Sequence, residues 1–340
     1  MYCSKRCQLE HWKEHKGSCC TQGGKLLDKK ALDKIAYKLI KLQDEKQWTK
    51  IISQVKYLEQ LLLEGDHVYY EKILDLFSTA YHHLNSINKD KNHVTAFIRL
   101  DMRRANNFGI LRQFEKQGIL LVRIGFACYN SNRHSDAVSC FEKAHTMCQH
   151  SHSLSVEVES MVGLAIMCLE KGMVTSVAGN EREDGLNILR SATFAAGLIT
   201  DNTYKEQFFA QRNLLIYLLA KDDTLEEAEQ YLKEFSVRAY EMSAHLNILT
   251  VAELHTDLLT AQLHQMRREF EKFDDVMFEL FDKIQTRLPT DRNIATRMVF
   301  ALEESKGVAE ANAFVSKEVL NAWECEIQLL EIVAGNVCVL

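Results

Sequence analysis

Apolar residues recur at intervals of three and four positions through most of the chain from Leu27 onwards. The first clear series comprises Leu39, Leu42, Ile51, Val55, Leu58, Leu61 and Leu62. This spacing places the apolar side chains on one face of an α-helix, so it predicts amphipathic helices packed against their neighbours. Alternating runs of Val, Ile and Thr, which would indicate strands, are almost absent. We therefore predict an all-α protein.

The composition agrees with this pattern. The 340 residues include one proline, Pro289, and only 14 glycines, while 46% of the residues are hydrophobic. Leu, Ala, Glu, Lys and Gln, which favour helices, are abundant. A chain of this length forms one elongated or two compact domains, and the helix-rich composition favours the elongated form.

Residues 118–151 add an ordered series of small and large side chains to the helical pattern. In the first predicted helix the side chains are large, large, small and large, at Leu121, Ile124, Gly125 and Cys128. In the second they are small, aromatic and small, at Ala137, Phe141 and Ala144. This window resembles a tetratricopeptide repeat, a 34-residue pair of antiparallel helices. We expect Gly125 and Ala137 to let two helices approach closely, Phe141 to fill the space beside them and Ala144 to admit the next repeat.

Neighbouring windows follow the same plan less closely. Residues 156 to about 198 supply Val162, Gly163, Gly185, Leu189 and Ala192, with a predicted loop around 173–183. Residues 209–242 supply Leu215, Ile216, Leu219, Ala228, Leu232 and Phe235, with Asp222, Asp223 and Thr224 expected to cap the second helix. A weaker pair covers about 244–286, and the flanks at about 27–115 and 291–332 are predicted to be further pairs or caps.

A stack of helix pairs leaves a concave face that accommodates an extended peptide or a partner helix. By the resemblance, such a groove is often lined by Lys, Arg and Asn. The candidates are Arg123, Asn130, Arg212 and Asn213. The alternative for each is an ordinary exposed helix residue.

The first twenty residues contain a cluster of possible metal ligands. Cys3, Cys7, His15 and Cys19 form two pairs with a spacing of four. Zinc in proteins takes four Cys or His ligands in a tetrahedron, and such pairs each supply two. The chain begins without an apolar signal segment, so we expect reduced thiols rather than disulfides.

The string YCSKRCQLEHWKEHKGSC resembles the carboxy-terminal half of a MYND-type zinc finger. By that resemblance, Cys3, Cys7, His15 and Cys19 are zinc ligands and Trp12 packs under the finger. A full finger is cross-braced and has two earlier Cys pairs, which are absent from this sequence. We therefore predict a partial finger at 1–20, a linker at 21–26 and a tetratricopeptide-like helical domain at 27–340.

Two outcomes remain open for this half finger. On one unbroken helix the ends of the cluster would lie about 24 Å apart, which is too far for one zinc ion. A bend between Gln8 and Glu14 would instead allow a single Cys3His site, with Cys20 as a competing thiolate. The other outcome is a truncated or vestigial finger that follows a misplaced start codon.

The net charge of −6 is unevenly distributed, with about +4 in the first thirty residues and about −10 in the rest. The acidic body argues against nucleic acid as the partner. No apolar run reaches the length of about eighteen residues that a transmembrane helix needs. We expect a cytoplasmic protein, with the nucleus as the alternative, that has no membrane partner; its oligomeric state is left open.

Motifs of catalysis are absent from the sequence: we find no phosphate-binding glycine loop, HExxH, GxSxG or EF-hand. His82-His83 and His150-Ser151-His152 are predicted in loops between helices, and Cys128, Cys140, Cys148 and Cys168 in the core. Lysine methyltransferases of the SET and MYND type combine such a finger with a helical tail, but their β-rich core is missing here. We predict a non-catalytic zinc-binding adaptor that binds a protein or peptide in its helical groove. The alternatives are a purely structural helical scaffold without functional zinc and a remnant of such a methyltransferase.

Overall fold

The computed structural model describes residues 29–54, 67–88, 91–171, 181–199, 205–243, 249–289, 291–311 and 315–334. About 89% of these residues are helical, in fourteen α-helices, and no strand occurs among them. The all-α prediction is confirmed for this part of the chain. The predicted finger at 1–20, with Cys3, Cys7, His15 and Cys19, and the predicted linker at 21–26 lie outside the described residues.

The described residues form fourteen α-helices in succession. In chain order they are α1 (Lys29–Asp44), α2 (Trp48–Ser53), α3 (His67–Asn88), α4 (Lys91–Ile110), α5 (Phe114–Asn130), α6 (His134–Ser151), α7 (Leu154–Lys171), α8 (Glu181–Gly197), α9 (Lys205–Leu219), α10 (Leu225–Ser243), α11 (Val251–Met266), α12 (Phe270–Thr286), α13 (Arg292–Ala311) and α14 (Lys317–Ala334). A short 3-10 turn, Asp222–Thr224, precedes α10.

Contacts between the helices divide the chain into two compact units, Met1–Val156 and Glu157–Leu340. In the first unit, α1 and α2 pack on α3, and each of α3, α4 and α5 packs on the next helix. One apolar cluster surrounds Phe77 and includes Leu39 and Ile51. A second cluster contains Phe108 and Leu121.

In the second unit the helices contact both their chain neighbours and their second neighbours. α9 contacts α11, and α11 contacts α13, so we call α9, α11 and α13 the front layer. α12 contacts α14, and Arg190 of α8 forms a bidentate ion pair with Glu227 of α10, at 2.8 and 2.7 Å. We call α8, α10, α12 and α14 the back layer. A large apolar cluster around Phe281 and Trp323 fills the space between α11, α12, α13 and α14.

One turn geometry recurs where consecutive helices reverse direction. The residue two positions before the next helix has a positive φ at Lys46, Arg112, Asn132 and Arg268. In each case the following N–H donates to a carbonyl five residues earlier, as in Arg133 N to Cys128 O at 2.8 Å and Glu269 N to His264 O at 2.9 Å. These bonds satisfy carbonyls that the end of the helix would otherwise leave unpaired. The turn joins α1 to α2, α4 to α5, α5 to α6, and α11 to α12.

The close helix approach predicted for residues 118–151 is present between α5 and α6. A Cβ atom on Gly125 would lie 2.5 Å from Cε1 of Phe141, so this position has room only for glycine. Ala137 and Ala144 are completely buried in the same hairpin. Gly185 of α8 has the corresponding role, because its Cβ would lie 2.5 Å from Cγ of Leu169 in α7.

Other local predictions have mixed outcomes. The core prediction for Cys128, Cys140, Cys148 and Cys168 is confirmed, since all four are buried. The loop prediction for His82-His83 is wrong: both residues lie inside α3, because the apolar spacing around them continues the helix. The side chain of Thr224, which was predicted to help cap α10, bonds instead to the end of α9. Its hydroxyl donates to the carbonyls of Leu218, at 2.5 Å, and Lys221, at 3.1 Å.

Candidate functional site: a cleft in the front layer

A cleft crosses the front layer of the second unit, where α9, α11 and α13 lie side by side. It encloses about 60 Å³ and is open to solvent on one side. Its apolar surface comes mainly from Ile216, Leu258, Leu259, Phe273, Val308 and Trp323. The polar groups are those of Arg212, His255, Gln262, Gln265, Glu304 and Ser305. An apolar surface with a few placed polar groups is typical of binding clefts.

Three polar side chains, one from each helix of the front layer, meet in this cleft. Arg212 of α9 donates from Nε to Nδ1 of His255 in α11, at 3.2 Å. Its Nη2 donates to Oε2 of Glu304 in α13, at 2.7 Å, and forms an ion pair with it. The Arg212 side chain is 20% exposed whereas that of Glu304 is 60% exposed. The guanidinium is therefore held within the cleft, and its carboxylate partner approaches from solvent.

His255 is a neutral group at physiological pH. Burial, assisted by the charge of Arg212, lowers the pKa of its imidazole to about 3. Because Nδ1 accepts the hydrogen bond from Arg212, the proton of the neutral ring lies on Nε2. His255 thus fixes the guanidinium on one side and offers an N–H donor on the other. The ring of Phe208 lies 5.7 Å from the imidazole and holds its orientation.

Trp323 of α14 contributes a further donor beneath the front layer. Its side chain is 1% exposed and lines the cleft. The indole Nε1 is buried and has no acceptor among the described residues. A buried N–H without a partner is costly, and such groups are rare in folded proteins. Gln265, by contrast, is satisfied, since its amide donates to the carbonyl of Ala309 at 3.3 Å.

A second polar cluster lies in the first unit and joins α3, α4 and α5. Asp101 is completely buried; its Oδ1 accepts from Ser78 Oγ at 2.6 Å and from Arg104 Nη1 at 3.0 Å. Arg123 Nε lies 3.1 Å from Oδ2, and its guanidinium stacks 4.5 Å above the ring of Phe97. Burial lowers the pKa of Arg123, and the charge of Asp101 opposes that effect. The cluster is closed on itself, and we assign it to holding the three helices together.

The four predicted groove residues therefore lie in different environments. Arg212 lines the cleft, and its predicted role in a peptide-binding groove stays a prediction. The prediction for Asn213 is wrong: it is 7% exposed and its amide donates to the carbonyl of Phe209 at 2.7 Å, because one residue along a helix turns the side chain by about 100°. Arg123 pairs with Asp101, and Asn130 is exposed as the last residue of α5.

Sequence reasoning missed His255, Glu304 and Trp323. Each lies on a helix with ordinary amphipathic spacing, and no local motif surrounds it. The hydrogen bonds that join Arg212 to His255 and to Glu304 cross 43 and 92 positions of the chain. Only the packing of three helices brings them together.

The described residues contain no group of three or more His, Cys, Asp or Glu side chains that could hold a metal ion. The predicted ligands Cys3, Cys7, His15 and Cys19 lie outside that part of the chain. No helix among the described residues is long and apolar enough to cross a membrane. A scan against models of protein families finds no match, and a search of curated proteins finds no significant relative.

Proposed function

We propose that this chain is a non-catalytic protein-interaction adaptor whose helix pairs form a tetratricopeptide-like solenoid, with the front layer as its peptide-binding face. The proposal rests on one observation, the cleft shared by α9, α11 and α13. These three helices are the first members of successive pairs, and in stacked repeats such helices line the face that receives a ligand. A cleft on these three helices therefore supports the proposal of a partner-binding face.

The chemistry of the cleft supports binding rather than catalysis. Its charged groups are paired, Arg212 with Glu304, and its imidazole is held neutral with its free nitrogen acting as a donor. Ser305 is the one hydroxyl among its lining residues, and it forms no hydrogen bond with His255 or Glu304 in the described part of the chain. An apolar surface with hydrogen-bonding groups at its edge matches an extended peptide, whose side chains enter pockets while its backbone stays at the rim.

The adaptor proposal is tested by filling the mouth of the cleft. Val308, which lines it, is 43% exposed on α13, and Val237 is 58% exposed on α10 of the back layer. We expect Val308→Trp to abolish the capture of partner proteins by the purified full-length chain, because the indole blocks the cleft. Val237→Trp is the matched control and is expected to leave capture unchanged. If both variants retain every partner, the chain is a structural scaffold or binds through another surface.

The partial MYND-type finger is the second part of the proposal. We infer that Cys3, Cys7, His15 and Cys19 hold one zinc ion as a Cys3His site and that this finger adds a second interaction module. Native mass spectrometry of the full chain is expected to show one zinc, lost in Cys7→Ser and retained in Cys20→Ser, since Cys20 has no ligand position in the finger pattern. A metal-free chain with unchanged helical content would remove zinc from the proposal.

A further inference from the structure

The front-layer cleft contains hydrogen-bond donors that have no acceptor among the described residues. Arg212 uses two of its five N–H bonds in contacts with described residues, to His255 and Glu304. His255 presents the N–H of Nε2 as a further donor, because its Nδ1 is occupied. The indole N–H of Trp323 has no acceptor in the described chain. The one carboxylate that lines the cleft belongs to Glu304, whose side chain is 60% exposed.

The hydrogen-bond donors of Arg212, His255 and Trp323 complement a carboxylate, which is an acceptor. Ionised carboxylates accept about four hydrogen bonds, and a guanidinium binds them in a fixed fork geometry. A lysine or arginine side chain would instead face the positive charge of Arg212. A purely apolar side chain would cover Trp323 and Arg212 without offering an acceptor, and would leave buried donors unpaired.

The size of the cleft agrees with the same ligand. About 60 Å³ is room for about four water molecules. The side chains of aspartate and glutamate have four and five heavy atoms, so either one is small enough to enter this space. The adjacent apolar residues Ile216, Leu258 and Leu259 provide surface for the neighbouring residues of a peptide, which a free carboxylate ion would leave uncovered.

We infer that the cleft binds an acidic side chain of a partner peptide, which pairs with Arg212 and displaces Glu304 of the same chain. This inference rests on the proposed adaptor function and specifies its ligand. Glu304 acts as an internal competitor: it neutralises Arg212 in the free protein, and it releases the guanidinium when a better-placed carboxylate enters. The Glu304 side chain is 60% exposed, so it can turn away from Arg212 into solvent by rotation about its own bonds.

The competition between Glu304 and a peptide carboxylate for Arg212 changes the affinity for the peptide by a measurable factor. Ion pairs with one exposed partner are weak, and the Arg212–Glu304 contact lowers the affinity for a competing carboxylate by up to about five-fold. Removing the charge of Glu304 while keeping its shape therefore strengthens binding. Glu304→Gln is expected to tighten the binding of an acidic peptide by two- to five-fold. Removing the cation by Arg212→Met is expected to weaken it by at least ten-fold.

The test follows the indole N–H signal of Trp323 by NMR in the full-length chain labelled with ¹⁵N-tryptophan. Trp323→Phe identifies the signal among those of the three tryptophans. The probes are acetyl-Leu-Glu-Leu-amide and the matched acetyl-Leu-Gln-Leu-amide, which differ only in the charge of the central side chain. We expect a saturable shift with the glutamate peptide and a response at least ten-fold weaker with the glutamine peptide.

Each outcome decides a separate point. Equal shifts with both peptides would show that the cleft recognises apolar residues and would overturn the acidic specificity. No shift with either peptide, while Val308→Trp still abolishes partner capture, would overturn the inference and leave the adaptor function intact. A glutamate-specific shift that Glu304→Gln fails to strengthen would remove Glu304 as a competitor.

Discussion

Replacing Asp101 with alanine is expected to lower the free energy of unfolding of the first compact unit by about 3 kcal/mol. Asp101 is completely buried and contacts Ser78, Arg104 and Arg123, which come from α3, α4 and α5. Without its carboxylate, Arg123 loses its one ion-pair partner among the described residues, and Arg104, which is 8% exposed, loses one of its three. The Arg123 side chain is 36% exposed, so water screens part of its loss, and the larger cost falls on the weakened Arg104 pairing and on the buried Ser78 hydroxyl, which loses its acceptor. Urea denaturation followed by circular dichroism measures the change.

Asp75 provides the matched control for Asp101. It also pairs with Arg104, with Nη2 to Oδ1 at 2.7 Å, but its side chain is 50% exposed. Water screens this contact, so Asp75→Ala is expected to cost no more than about 1 kcal/mol. Equal losses for the two variants would contradict the view that the buried carboxylate organises the cluster.

Glycine-to-alanine substitutions at Gly125 and Gly307 are expected to have opposite effects on stability. At Gly125 the new methyl group would lie 2.5 Å from Cε1 and 2.8 Å from Cδ1 of Phe141, so the ring must move out of a packed hairpin. Overpacking of this kind costs about 1–3 kcal/mol. Gly125→Ala should therefore lower the midpoint of urea denaturation.

At Gly307 the same change meets no atom within 4 Å. The residue lies inside α13 on an exposed turn, where alanine is preferred over glycine by up to about 1 kcal/mol. Gly307→Ala is thus expected to stabilise the protein, and its stability is measured in the same denaturation series. Unchanged or higher stability of Gly125→Ala would contradict the assignment of Gly125 to a close helix contact, and a loss in Gly307→Ala would contradict the open position of Gly307.

Features that depend on local spacing were predictable from the sequence. Gly125, Ala137 and Phe141 have the small and aromatic pattern that a tight helical hairpin requires, and the hairpin has that packing. Arg212 was a predicted groove residue and lies in the cleft. Its neighbour Asn213 was misplaced because composition alone does not distinguish two adjacent positions on a helix, which face about 100° apart.

Features that depend on distant contacts were not predictable. The Asp101 cluster needs three helices in register, and the donors of the cleft come from residues up to 111 positions apart, Arg212 and Trp323. The turns gave weak signals as well: of the five residues with positive φ between helices, only Asn132 and His152 are of types that favour this conformation. The other three, Lys46, Arg112 and Arg268, adopt it because the helices they connect impose it.

The proposed adaptor function depends on partners binding the front layer through its cleft. Calorimetric titration of a partner recovered by the wild-type chain against the Val308→Trp and Val237→Trp variants measures that dependence. We predict at least ten-fold weaker binding to Val308→Trp, in the front layer, and wild-type affinity for Val237→Trp, in the back layer. Wild-type affinity for Val308→Trp, or weaker binding only to Val237→Trp, would contradict the proposal.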